Sequence, residues 1–204
     1  MKKEIFHDIC SQVFSFLENN EQLTIYLEGE NSQYFRFNDS KLRQSGIIED
    51  YAVTISLFSG KKSLQSATTV SSEIESSVIN LKNEIQALRD PLSLIPENEF
   101  TSFPDNFESI EMIKSGQLPD RNEILEALMD VITRDYLTGV WTSGKIFRAC
   151  STSEGTNHWF EKDSFIFDFS LIDEKENMVK VLFPGNDWDK DRFTAAFQEA
   201  SSKL

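Results

Sequence analysis

Two blocks of period-two alternation, each bracketed by helical stripes, constrain this chain more than any other feature. In the first block Leu23, Ile25 and Leu27 share a face of 22-QLTIYLEGE-30, and Val53, Ile55 and Leu57 share a face of 47-IIEDYAVTISLF-58. Between them 34-YFRFNDSKLRQSG-46 alternates around Asn38-Asp39-Ser40, residue types that suit a hairpin turn. Ser59-Gly60 then turns the chain into 61-KKSLQSATTV-70. The second block holds 137-LTGVWTS-143, 145-KIFRACS-151, 157-NHWFEK-162, 164-SFIFDFSLI-172 and 177-NMVKVLF-183. Successive side chains of a strand point to opposite faces, so each run offers one apolar face that another layer must cover.

The covering layer is legible as helices. Ile5, Phe6, Ile9, Val13, Phe14 and Leu17 form one stripe over 3–18. Ile74, Val78, Leu81, Ile85 and Leu88 form a second, with Ser71 or Ser72 and Glu75 as its capping signal and 90-DP-91 as its stop. Asp120 caps a third, carrying Ile124, Leu125, Leu128, Val131 and Ile132, and a fourth begins near Asp187 or Asp189. Both blocks read helix, antiparallel strands, helix, the pattern an internal duplication would leave. Long strand runs without strict βα alternation give an α+β class, expected as two antiparallel sheet units with flanking helices.

Between the blocks, residues 90–119 hold four of the five prolines and a cluster of acids, with one short helix expected from about Asp105 to Ser115. Connections of that length are uncommon inside one compact unit. The expected organisation is therefore a subdomain over 1–90, a connection over 91–119 and a second subdomain over 120–204.

Charge and cysteine usage narrow the function classes. The formal charge is −14, from 20 Lys and Arg against 34 Asp and Glu. Counterion release on nucleic acid or an anionic membrane needs clustered cations, so no nucleic acid and no membrane partner is expected. No apolar run approaches the ~18 residues of a spanning helix. The first helix has a basic tip but carries Glu4 and Asp8 and no small-residue cleavage site, so it reads as amphipathic rather than as a signal peptide. Cys10 and Cys150 are far apart in sequence and read as reduced thiols, and a cytoplasmic setting is expected.

The catalytic inventory is thin. His7 and His158 are the two histidines, and neither lies in a His-Glu-x-x-His arrangement; no Gly-rich phosphate loop or Gly-x-Ser-x-Gly elbow occurs. Asp163 and Asp168 are available as an acid–base pair, but an acidic chain supplies such pairs by chance. No catalytic residue, metal ligand or cofactor is assigned, and the chain by itself reads as non-enzymatic.

Recognition is better supported. In 34-YFRFN-38 Phe35 and Phe37 point one way while Arg36 and Asn38 point the other, and Arg43 returns to the Arg36 face if Leu42 joins the phenylalanines. Like charges on one hairpin face are unfavourable without an anion near them. Either Glu28, Glu49 or Asp50 neutralises them, or they form a surface for a carboxylate, such as a peptide terminus or an acidic partner. Trp141, Trp159, Phe165, Phe167 and Phe169 read as core at strand spacing. The alternative is an exposed partner patch of Arg148, His158 and Trp159.

The run Phe-Arg-Phe-Asn-x-Ser-Lys-Leu-Arg-Gln-x-Gly (35–46), with 138-TGVWTSGKIFRA-149 and 157-NHWFEKDSFIFDFSL-171, resembles the TldD/PmbA family, described as modulators of DNA gyrase and regarded as zinc metallopeptidases. The order and spacing of these runs carry the resemblance, from about residue 20 to the final helix. It implies an N-terminal domain. The family's His-Glu-x-x-x-His helix and later cysteine bind zinc in a C-terminal half, and neither His7 nor His158 matches them. Zinc is thus expected only in that missing half, and the sequence reads as a fragment or a short gene product. The implied partners are that catalytic domain, a second family member in a homo- or heterodimer, and unfolded peptides admitted to a narrow channel. The alternative is a free-standing peptide-binding or adaptor domain.

Overall fold

The computed structural model describes residues 1–104, 108–131 and 136–204. In chain order the elements are α1 (Lys3–Phe14), β1 (Glu21–Asn38), β2 (Lys41–Ser59), β3 (Lys62–Thr69), α2 (Ile74–Leu94), β4 (Glu111–Lys114), α3 (Arg121–Val131), β5 (Tyr136–Thr152), β6 (Asn157–Ile172), β7 (Met178–Gly185) and α4 (Lys190–Ser201). The class is α+β, with flanking helices, and helix–three strands–helix occurs twice, with β4 between the repeats.

The strands differ from expectation in length. Four expected runs in the first block are two long strands and a short one, and four of those in the second are merged into β5 and β6. The polar stretch around Gly29 reads as a break but is strand. A Cβ on Gly29 would lie 2.6 Å from Tyr51 Cδ1 and 3.0 Å from the Asp50 carbonyl oxygen, so the glycine serves close approach rather than a turn. The true turn is Asp39-Ser40, both at positive φ (54° and 56°), the conformation whose twist matches a two-residue hairpin.

The strands join in one sheet rather than two, in the order β3-β2-β1-β5-β6-β4, with β7 also on β6. β2 and β3 run antiparallel from Ala52 opposite Thr69 to Ser59 opposite Lys62. β6 and β7 do so from Phe165 opposite Gly185 to Ile172 opposite Met178.

The compact units are not the consecutive segments 1–90 and 120–204. One comprises Met1–Gly29, Asp50–Ile113 and Phe147–Glu161; the other comprises Glu30–Glu49, Lys114–Ile146 and Lys162–Leu204. β1, β2, β5 and β6 each contribute residues to both, and alternation does not reveal where a continuous strand passes from one core to the next. The first core gathers α1 and α2 against Leu23, Ile25, Val53 and Ile55. The second gathers α3 and α4 against Phe35, Phe37 and an aromatic run in which Trp141 stacks on Phe165 at 5.0 Å and Phe169 on Phe197 at 5.9 Å.

Helix ends also depart from their signals. α2 continues through Pro91 to Leu94. The proline forgoes one backbone bond, while burial of Leu92 and the bond from Ile95 N to the Pro91 carbonyl hold the last turn. Its N-cap is Glu73, with no side-chain cap bond; Ser71 Oγ accepts from Glu73 N at 3.2 Å, and the buried Ser77 hydroxyl bonds the Ser71 backbone. Asp120 and Asp189 do cap α3 and α4, accepting from Glu123 N at 2.9 Å and Arg192 N at 3.0 Å. Ile132, expected on α3, lies outside the described residues, as do 105–107 of the expected short helix; its remainder holds β4, a strand.

Candidate functional site

The tip of the β1–β2 hairpin, in the second unit, carries a cationic surface. Phe35 and Phe37 are buried, as the alternation predicts, while Arg36, Asn38 and Arg43 are exposed. Leu42 is 41% exposed and does not share the phenylalanines' burial, because β3 pairs only the distal part of β2 and leaves this part at the sheet edge. A web of bonds fixes the tip. Ser40 N donates to the Leu137 carbonyl and Leu137 N to Ser40 Oγ, both at 2.9 Å, and Thr138 Oγ1 donates to Asn38 Oδ1 at 3.1 Å. Arg43 Nε donates to the Asn38 carbonyl at 3.2 Å.

Among the described residues neither Arg36 nor Arg43 forms an ion pair. Glu28, one of the three expected neutralising acids, instead meets Arg148 Nε at 3.2 Å. Two further cations join the surface: Lys41, which alternation groups with Arg43, and Arg121, which the sequence did not single out. Lys41 sits 3.9 Å from Asp39, and Arg121 from α3 lies over the Phe35 ring and donates to Ser45 Oγ at 3.2 Å. Arg121 was hidden because its approach depends on how α3 crosses the sheet. Among the described residues the surface offers guanidinium, ammonium and hydroxyl groups suited to binding an anion.

The other three predicted residues sit on the β5–β6 hairpin, in the first unit. Trp159 is 2% exposed and packs within the core against Phe6 and Phe147, so it is no exposed anchor. Its burial follows from alternation, and its Nε1 donates to Glu161 at 3.3 Å. His158 is half-buried, and its Nδ1 accepts from Ile110 N at 3.3 Å. Arg148 is engaged by Glu28 and by the Phe147 carbonyl. These three do not form one exposed patch.

Clefts lined by described residues lie elsewhere. In the second unit a polar cleft of 420 Å³ is lined by Glu30, Ser32, Ser143, Lys162, Ser164 and Asn186 among others. In the first unit a cleft of 600 Å³ is rimmed by Glu18, Glu21 and Arg89. There Arg89 grips Glu21 with two bonds of 2.9 Å. Burial pushes the Glu21 carboxyl up, but the bonds from Arg89 and from Glu18 N outweigh it and hold its pKa below the ordinary range. Cys10 is buried and its thiol is pushed up to about 12, so it is no thiolate nucleophile at neutral pH. Asp163 and Asp168 pair with Lys145 and Lys180 rather than with each other. Among the described residues no cluster of three His, Cys, Asp or Glu side chains is arranged to hold a metal, and no helix is long and apolar enough to cross a membrane.

The fold therefore defines a class: a helix-flanked seven-stranded sheet built from two interleaved units. Solved structures share it. The chain matches a proposed modulator of a DNA gyrase from Thermotoga maritima with a TM-score of 0.68 at 12% identity, covering 98% of this chain and 48% of that one. It matches TldE from Thermococcus kodakarensis with a TM-score of 0.68 at 13% identity, covering 98% and 47%. A proposed modulator of DNA gyrase from Bacteroides thetaiotaomicron gives 0.62 at 12%, covering 99% and 49%. No family model and no curated protein matches the sequence. The chain thus spans about half the length of the structures it resembles, and at these identities the likeness is one of fold. Their names are those to which residues 35–46, 138–149 and 157–171 led.

Proposed function

We propose that this chain is the N-terminal, non-catalytic domain of a TldD/PmbA-like metallopeptidase, supporting dimerisation and the entry of unfolded peptide, with zinc and the cleavage chemistry in a second half. The observation that carries this reading is the coverage: nearly all of this chain against about half of each TldE- or gyrase-modulator-like structure. The thin catalytic inventory agrees with it. The cationic hairpin tip, with Arg36 and Arg43 outside any ion pair among the described residues, suits a peptide carboxylate or an acidic segment of the second half. The cytoplasm is the compartment this reading implies.

Deleting residues 1–204 from the full-length protein tests the proposal. Zinc is expected to stay bound while discrimination between unfolded and folded substrates is lost. A full-length protein that holds no zinc and cleaves no peptide overturns the peptidase reading and favours a peptide-binding adaptor.

A further inference from the structure

The polar cleft of the second unit is lined from four neighbouring strands, with β5 between β1 and β6, and β7 paired to β6. Two of its hydroxyls are buried, Ser32 and Ser143, and both are only half used. Ser32 Oγ donates to Glu30 Oε2 at 2.9 Å and keeps its lone pairs, while Ser143 Oγ accepts from Gln33 Nε2 at 3.2 Å and keeps its proton. Thr142 and Ser164 add two half-buried hydroxyls that bond nothing among the described residues. Buried polar groups are ordinarily saturated, so spare capacity gathered in one cleft is filled from outside the chain. Solvent can fill it, and so can a ligand of matching polarity.

Charge decides which ligand matches. Glu30 and Lys162 both line the cleft, from strands on either side of β5 and so about 9.5 Å apart. Both are half-buried, and neither forms an ion pair among the described residues; the neighbouring Asp163 takes Lys145. A simple anion here meets Glu30 and the field of a chain of formal charge −14, and a simple cation meets Lys162. A neutral ligand leaves two half-buried charges without counter-ions. A zwitterion answers both. Beside these charges Ile166, 39% exposed, and Pro184, its partner across the β6–β7 pair, give a wall for an apolar substituent. We propose that this cleft binds a small zwitterion bearing an ammonium, a carboxylate and an aliphatic side chain. The ammonium donates to Glu30 and Ser32, the carboxylate accepts from Lys162 and Ser143, and the side chain lies against Ile166 and Pro184. A free amino acid and a dipeptide share that chemistry. The cleft's 420 Å³ suits molecules of their size, near the lower end of the roughly 300–1,000 Å³ usual for ligand pockets.

Isothermal titration calorimetry of the 204-residue chain with leucine and with alanyl-leucine is the test. At least one of them is expected to bind at one site per chain, and the tighter of the two tells a free amino acid from a peptide. Acetylating the amine or amidating the carboxylate of that ligand should weaken it by about tenfold or more, the loss of one charge-assisted bond. Lys162→Met should weaken the parent ligand by about as much and leave the amidated form, which has no carboxylate, no weaker. Glu30→Gln, which still accepts from Ser32, should weaken the parent and leave the acetylated form no weaker. This pairing of residue with ligand group is a signature that a misfolded variant does not produce. Absence of binding by both ligands at millimolar concentration overturns the proposal, as does an affinity indifferent to acetylation and amidation. Loss of binding in Arg36→Ala with Arg43→Ala, rather than in Lys162→Met, places the carboxylate at the hairpin tip and also overturns it. Zinc content and peptidase activity of the full-length protein are separate readouts, so failure here is distinguishable from failure of the proposed function.

Discussion

Replacing Arg89 by methionine removes the most heavily used cation of the first unit. Its side chain is 12% exposed and that of Glu21 is 9% exposed. The guanidinium gives Glu21 two bonds of 2.9 Å, the Phe16 carbonyl one of 3.0 Å and Glu18 a contact of 3.1 Å, while lying 4.7 Å above the Phe16 ring. Removing one partner of a buried pair costs about 3–5 kcal/mol, most of it from the charge left behind. Glu21 keeps the bond from Glu18 N at 2.8 Å, and the open cleft beside it admits water, so the lower end, about 3 kcal/mol, is expected. For a chain of this size that is a fall in Tm of about 6–12 °C by differential scanning calorimetry. The loss must also depend on pH. The Glu21 pKa is depressed in the folded chain, so its stabilisation is present above the unfolded value near ~4.3 and is lost as pH falls through the folded one. The gap between wild type and Arg89→Met is therefore widest at neutral pH and closes toward acid. Adding Glu21→Gln should recover most of the loss. A gap below about 1 kcal/mol, or one of constant size down to acid pH, refutes the reasoning.

Arg36→Ala with Arg43→Ala should leave the unfolding free energy from chemical denaturation within about 0.5 kcal/mol of wild type, because both side chains are exposed and only Arg43 makes a described bond. The same pair should weaken binding of a carboxylate-bearing peptide by about tenfold or more per lost charge-assisted bond, read by fluorescence anisotropy. His7 is held below its ordinary pKa, first by burial and then by Lys3, and its Nε2 has no partner among the described residues. A depressed histidine stabilises the fold above its unfolded value near ~6.5 and ceases to do so as pH falls through the folded one. Stability should accordingly drop between neutral and mildly acid pH, and His7→Gln should flatten that drop in a pH series of urea titrations. Gly144→Ala would place a Cβ 2.3 Å from the Asn31 carbonyl oxygen and 2.5 Å from Ser32 Cα, both backbone atoms, and should cost about 3 kcal/mol or more. A soluble Gly144→Ala protein with unchanged Tm contradicts the close strand approach.

How much was legible in the sequence varied with how local the signal is. The buried sides of β1, β2, β5 and β6 follow from alternation, down to Phe35, Phe37 and Phe167. The Asp120 and Asp189 caps follow because capping is decided within one turn. Non-local features did not show. Gly29 looks like a break, yet Tyr51, distant in sequence, decides its role; the Ser-rich approach to α2 looks like a cap, yet Ser71 bonds the buried Ser77 six residues on. Pro91 reads as a stop until burial of Leu92 is known. At the candidate site the exposure of Arg36 was readable from period two, whereas Arg43 lies in the stretch 41–45, exposed throughout, where alternation decides nothing. The approach of Arg121 depends on how α3 crosses the sheet; the burial of Trp159 follows from alternation, and Phe6 of α1 packs against it.

The central claim is that this chain is half of a zinc peptidase, and the intact mass and metal content of the native polypeptide, captured from its host with an antibody to these residues, test it most directly. The account predicts a polypeptide of roughly twice 23.4 kDa, given that the matched structures are about twice as long, with one tightly held zinc on a His-Glu-x-x-x-His helix beyond Leu204. A native species of 23.4 kDa that carries no zinc and co-purifies with no zinc-bearing partner contradicts it.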